Sequence, residues 1–395
     1  MSKLYKVYLI HKDQDRRAER LRRSLANEIR VLKLKPDLIR VETGAVLHPK
    51  ADTVAVALFL GSAASKVDAG CEASCKGALD AGIPVFPLVD DNVNVTDLVP
   101  SCLHPFNALF WDKSGGPKGV VLHALRSLGL TEYQRRVFIS YRRSDSMLMG
   151  EQLWSVLSQQ GFQVFLDRFS LEPGARFQDK LFEALDEKSF VVLVESPDVQ
   201  DSSWVEEEFN YARKRNMGLL VLTWPQTIAM KRTLPGVYEK YRLHLPPDEL
   251  TVDSCGQGRL SQEFLTVLAA EVEERHAAAL LRRRRQLMGS IESELKRSGV
   301  SYVGIADWSL VARLSRGGRA RVDCVISITP RAPDVPDLLA LDTHVTAGRK
   351  RTGVLVHTLR TVPQQRRDLL KWAIGRRKLK LVPEDQVVTF VAGLT

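Results

Sequence analysis

One short stretch of the 395-residue chain gathers groups whose types and spacing could do chemistry together: Ser202-Ser203-Trp204-Val205-Glu206-Glu207-Glu208-Phe209. Trp204 and Glu208 stand four apart, so on a helix the indole and the carboxylate share a face. An aromatic plate beside a carboxylate suits a flat cationic ring carried on a sugar. Glu207 also lies near Trp204 and stays open as the carboxylate. Ser203 and Glu206 have capping-box spacing, which assigns Glu206 to the helix start. The competing reading of all three glutamates is a solvated acidic first turn favoured by the helix dipole. Arg142, Arg143, Arg168 and Arg176 lie upstream. Their guanidinium forks match phosphate oxygens.

The elements that must position these groups follow from periodicity. Residues 137–139, 162–166, 190–194 and 218–223 are short apolar runs and read as buried strands. Residues 148–160 carry an apolar stripe at helical spacing, and Gly161 stops that helix. Phe177, Leu181, Phe182 and Leu185 follow the Pro173-Gly174 turn at helical spacing, and residues 204–215 read as a further helix. Strands alternating with helices predict a parallel sheet covered on both faces. Ligands of such sheets bind beyond the carboxyl ends of the strands, here residues 140–145, 167–174 and 196–203.

Taken together, these blocks resemble a Toll/interleukin-1 receptor (TIR) domain, most of all its NAD-hydrolysing members in animal axon degeneration and bacterial defence. Phe138-Ile139-Ser140-Tyr141-Arg142-Arg143 matches the family's first box. Leu171-Glu172-Pro173-Gly174 matches the loop after the second strand, and residues 202–208 match the block that carries the catalytic glutamate. The resemblance implies that Glu208 is catalytic. It also implies that Phe138, Arg142, Arg143, Asp167, Gly174 and Trp204 line or gate the substrate site. NAD+ would be a substrate and no cofactor would be needed. One departure stands out: Gly174-Ala175-Arg176-Phe177 has one more residue between glycine and phenylalanine than the relatives, so a core role for Phe177 competes with a ligand contact.

The expected fold class is α/β with flavodoxin-like parallel sheets: two TIR-like domains plus a C-terminal α/β domain. The boundaries expected are 1–130, 134–274 and 276–395. In the first segment, Tyr8-Leu9-Ile10-His11-Lys12-Asp13 resembles a worn copy of the first box. Aligning Gly70 with Trp204 puts Ser74 at the position of Glu208, so this degenerate copy would lack both plate and carboxylate. An unrelated small α/β domain is the alternative.

The net charge of +10 is unevenly placed. Residues 275–395 hold 23 Lys+Arg against 10 Asp+Glu, whereas residues 1–274 hold 34 against 37. A basic last third suits nucleic acid, through phosphate neutralisation, or a partner protein. Its pattern faintly resembles Mrr-like restriction nucleases. Asp323 is present, but the lysine that a metal-dependent nuclease needs does not follow it, so cutting is not expected. His344 and His357 read as structural. Arg282-Arg283-Arg284-Arg285 lies in a long helical stretch and reads as a solvated face, with a nucleic-acid or partner patch as the alternative.

No apolar run approaches the roughly 20 residues of a membrane-spanning helix, and the start does not read as a signal peptide. Five scattered cysteines fit a reducing cytoplasm better than a disulfide scaffold. Cys71 and Cys75 have no partners at zinc spacing. The functions weighed are an NAD+ glycohydrolase acting in defence and activated by self-assembly, a non-catalytic TIR scaffold, and a nucleic-acid-binding protein governed by its last third.

Overall fold

The computed structural model describes residues 4–12, 15–50, 53–106, 108–166, 177–305, 308–316, 319–346, 351–358, 362 and 364–394. Among these, three five-stranded sheets follow one another along the chain. The first holds β1 (Tyr5–Ile10), β2 (Ile39–Gly44), β3 (Val54–Leu60), β4 (Val85–Val89) and β5 (Leu109–Phe110) in the order β2-β1-β3-β4-β5, all parallel. The second holds β6 (Arg136–Ser140), β7 (Gln163–Phe165), β8 (Phe190–Glu195), β9 (Gly218–Thr223) and β10 (Arg242–His244) in the order β7-β6-β8-β9-β10, again all parallel. Counted within each sheet, both orders are 2-1-3-4-5, the flavodoxin-like pattern. A hairpin of β11 (Leu250–Val252) and β12 (Gly258–Leu260) follows.

The third sheet is mixed. β13 (Ser301–Ile305), β14 (Ser309–Arg316) and β15 (Arg319–Thr329) form an antiparallel meander, and β16 (Arg351–His357) and β17 (Leu379–Pro383) add to it in parallel. Asp323 of β15 pairs in register with Arg313 and Arg351. His344 and His357 are buried.

β3 and β8 are buried along their whole length because helices cover both faces of each parallel sheet. In β6 the alternation is visible. Val137 and Ile139 enter one core, and Phe138 enters the other, stacked on Phe165 with ring centroids 5.0 Å apart.

The helix expected from residue 148 begins at Arg143 and runs to Gln159. Its polar first turn carries no apolar stripe, so periodicity misses it. Arg142 offers no side-chain cap. Gln257 of the hairpin inserts into the next turn, with its amide oxygen accepting from the Met147 backbone N–H at 3.0 Å and its amide nitrogen donating to the Arg143 carbonyl at 3.1 Å. Gly161 ends this region at φ +79°, and a Cβ there would lie 2.5 Å from the Leu32 carbonyl of the first unit.

A 36-residue helix, Gln262–Arg297, joins all three sheets. At 1.5 Å per residue it is about 54 Å long. Leu265, Leu268 and Val272 enter the middle core, Ala277 the first core, and Ile291 and Leu295 the third. It runs unbroken through residues 274–276, where the sequence reading placed a boundary. The arginine run is not a solvated face. Arg284 is buried, donates to the Ser127 carbonyl at 2.8 Å and lies over the Trp308 ring. Arg283 pairs with Glu384, and Arg285 reaches the Ala81 carbonyl at 3.5 Å. Helical periodicity turns these residues toward neighbouring units that single-segment reading does not see.

One buried cluster ties the first two sheets to this helix. Arg135 donates two bonds of 2.6 Å to the Glu273 carboxylate, and the Tyr5 hydroxyl donates a third at 2.8 Å. Burial alone would raise the Glu273 carboxyl, but the Arg135 guanidinium outweighs it and holds it below the ordinary range. No described helix is long and apolar enough to cross a membrane.

Candidate active site

β6 and β8 end side by side and deliver two loops to one rim of the middle sheet. The first loop carries Arg142 and leads into the helix Arg143–Gln159. The second leads through Ser196 and Asp198 into the helix Ser203–Lys214. That helix is capped one residue earlier than capping-box spacing suggests. Ser202 is extended, and its hydroxyl accepts from the Val205 backbone N–H at 3.5 Å. Glu206 therefore falls one position beyond the capping-box partner and remains simply an acidic first-turn residue.

The three consecutive glutamates part company in space. Val205, Glu208, Phe209 and Ala212 are the buried side chains of this 12-residue helix, at i, i+3, i+4 and i+7. Val205 and Phe209 pack with Leu193 of β8 and Val221 of β9. Glu208 is only 7 % exposed, whereas Glu206 and Glu207 are exposed. Trp204, one turn before Glu208, is 45 % exposed. The solvated-turn reading thus fits Glu206 and Glu207 and fails for Glu208. The indole and the carboxylate thus stand one turn apart on this helix, one half-exposed and the other buried, and a carboxylate screened by little water acts strongly on nearby positive charge.

A polar lattice braces the same rim. Asp145 is buried and accepts from Ser146 Oγ at 2.6 Å, Ser196 Oγ at 2.9 Å and Arg142 Nη1 at 3.0 Å. Arg142 also reaches Asp198 at 3.4 Å, and Arg232 pairs with Asp198 at 3.3 Å and Asp201 at 2.8 Å. Arg142, expected as a phosphate fork, is thus engaged by carboxylates that stitch the two loops together. Arg143 begins its helix and is exposed. Phe138, expected to line the site, is 1 % exposed and packs in the core. Asp167, Arg168, Gly174 and Arg176 lie outside the described residues, as does the Phe177 side chain.

Below the rim sits a second anchor. Glu195 is wholly buried and takes a two-pronged bond from Arg242, at 3.0 and 2.9 Å, with Thr223 Oγ1 at 2.7 Å and the Leu234 N–H at 2.6 Å. This bond keeps Arg242 charged by raising its pKa. The sequence placed Asp145 and Ser196 in the rim loops without giving either a role, and it marked neither Arg232 nor this pair. The one available signal was a glutamate closing the otherwise apolar run of β8.

The first sheet repeats the site's scaffold. Its helix Ala69–Asp80 follows β3 after the short helix Ala63–Val67, as Ser203–Lys214 follows β8. Its buried residues Cys71, Ser74, Cys75 and Ala78 keep the same spacing as Val205, Glu208, Phe209 and Ala212. Ser74 takes the place of Glu208 and spends its hydroxyl on the Ala45 carbonyl at 2.8 Å and the Leu47 N–H at 2.8 Å.

Residues 137–238 match the sequence model of the TIR domain family. No curated protein matches the chain. The matched span begins in β6 and takes in β7, β8, β9 and the helix that holds Glu208, and this part of the chain is a TIR domain.

Proposed function

We propose that the TIR domain is an NAD+ glycohydrolase that cleaves the bond between nicotinamide and ribose. The observation that carries this reading is the inward, buried Glu208 one turn after the half-exposed Trp204, beside two exposed glutamates. Nicotinamide leaves as a neutral base, and positive charge grows on the ribose as an oxocarbenium-like centre. A fixed carboxylate stabilises that charge as in glycoside hydrolysis. Water then completes ADP-ribose, or an adenine nitrogen closes a cyclic form. Trp204 supplies the face for the nicotinamide ring. Arg142, Asp145 and Ser196 keep the two loops in register.

In this reading the chain is a cytoplasmic defence effector switched on by assembly of TIR domains. The first unit is a TIR-like copy that binds no NAD+, because Gly70 and Ser74 stand where the plate and carboxylate would be. A polyanion partner at the third sheet is favoured by Trp372, 78 % exposed on a helix that also exposes Arg367 and Lys371.

The test is incubation of the purified chain with NAD+, with and without nucleic acid, following nicotinamide release. Release that disappears in Glu208→Gln supports the proposal. No release under any of these conditions over a wide range of protein concentration would leave the scaffold reading in its place.

A further inference from the structure

The opposite rim of the TIR unit carries a second concavity. A cleft of about 350 Å³ opens between the end of the helix Ser203–Lys214, the turn Glu239–Tyr241 and the long helix Gln262–Arg297. It lies where β9 and β10 begin, whereas Asp145 and Ser196 lie where β6 and β8 end. Arg213, Lys240, Arg282 and Arg283 line it, and no carboxylate does. Glu384 neutralises Arg283 from outside the lining. Arg213, Lys240 and Arg282 form no ion pair among the described residues.

Such a concentration of cations costs stability unless something offsets their repulsion. Arg213 and the long helix bring theirs from elements far apart in sequence, so the cluster is a product of the fold. Two tyrosines stand among them. The rings of Tyr238 and Tyr241 are 6.4 Å apart at 60°, and Tyr238 is 68 % exposed. Lys240 Nζ lies over both rings, at 5.7 and 5.1 Å from their centres. A phosphate would draw Lys240 off and free a ring face for a planar base. The volume is at the low end of small-ligand sites, about 300–1,000 Å³, which suits one nucleotide and leaves no groove for a strand.

We propose that this cleft binds a small phosphorylated nucleoside of the size of a nucleoside mono- or diphosphate. Its phosphates would be held by Arg213, Lys240 and Arg282, with its base against Tyr238. Phe209, next to Glu208, also lines the cleft. Occupancy therefore clamps the helix bearing Glu208 to the long helix that continues into the third sheet. The site neither needs nor implies NAD+ turnover.

The test is calorimetric titration of the full chain with ADP, AMP, adenosine and inorganic phosphate. Glu208→Gln is the background, so that turnover does not interfere. ADP is expected to saturate one site per chain and to bind at least about tenfold tighter than adenosine or phosphate alone, because each half lacks the other's contacts. Arg213→Glu with Arg282→Glu should weaken ADP at least about tenfold, because two charge-assisted bonds are lost and one alone is worth about that much. Both side chains are exposed, and an unchanged melting temperature serves as the folding control. Trp204→Ala should leave ADP binding unchanged. ADP binding that survives the double substitution, that is lost in Trp204→Ala, or that is absent at millimolar ADP would overturn the proposal. Binding of a single-stranded oligonucleotide at this cleft without binding of ADP would overturn it as well.

Discussion

Glu208 is buried where its two acidic neighbours are exposed, and that difference sets what each substitution should do. Glu208→Gln keeps the shape and removes the charge that would face the sugar cation. Its rate of nicotinamide release should fall at least about a hundredfold, the scale of one lost electrostatic stabiliser. Glu207→Gln alters a solvated side chain and should stay within about twofold; a steady-state assay in which Glu207→Gln is the dead variant would reverse the assignment. His276 provides a prediction of another kind. Burial against Phe162 and Phe190 pushes its pKa down to about 4, with Glu273 favouring and Arg135 and Arg284 opposing its charge. The unfolded chain binds that proton near the ordinary histidine value of 6.5. Between these two values the unfolded state carries more protons, so stability falls as pH drops from 6.5 toward 4, by up to about 3 kcal/mol. Urea midpoints at pH 7 and pH 5 measure it, and His276→Gln should flatten the difference. At this scale the sequence marked Trp204 and Glu208, because four-residue spacing on a helix is visible in one segment. It placed Asp145 and Ser196, 51 residues apart, on the same rim through the strand ends, but the bond between them depends on side-chain geometry that no segment shows.

Elements were legible where burial was two-sided. β8 and β9 announce themselves as continuous apolar runs, and β9 has the expected bounds. β2 did not, because it is an edge strand whose sequence Ile-Arg-Val-Glu-Thr-Gly keeps charges at the solvent. β10 was likewise obscured. It is a three-residue edge strand, held to the sheet as much by Arg242 on Glu195 as by its ladder. Glu195→Ala should therefore strand a charge that is 7 % exposed in its side chain. We expect a loss of about 3–5 kcal/mol, the cost of breaking a buried pair by removing one partner. Replacing both members with apolar residues should recover part of it, as read by urea unfolding. A loss below about 1 kcal/mol for the single change would show that water reaches the site when Glu195 is gone. Ser202→Ala tests the revised cap: the helix that holds Glu208 should lose about 1 kcal/mol, whereas Ser203→Ala should cost little.

At the scale of the molecule, the long helix decides how the three sheets depend on one another. Composition located the basic excess in the last third, but read the arginine run as a solvent face because nothing local shows what a helix will be packed against. Three of the four arginines instead make contacts across units. Assembly of TIR domains predicts that specific activity rises with protein concentration, and flat activity across a hundredfold dilution would argue against it. A cut at residue 275, which composition suggests as a domain boundary, severs the helix midway. It removes Ala277 from the first core and Ala279 from the middle core, and with them the buried Leu280, Arg284 and Leu287. Loss of a buried leucine alone costs about 2–5 kcal/mol, and total stability is about 5–15 kcal/mol. Residues 1–275 should therefore aggregate or melt far below the full chain. Residues 1–299 keep the helix through its end at Arg297, bare the Ile291 and Leu295 that face the third sheet, and give up the bonds from Arg136 to Asp334 at 2.9 Å and from Trp308 to the Ser127 carbonyl at 3.0 Å, a smaller loss than half the helix. That longer fragment should stay folded, show a cooperative thermal transition, and retain any nicotinamide release the full chain has. A 1–275 fragment that is monomeric and melts within a few degrees of the full chain would mean that the helix joins units that stand without it.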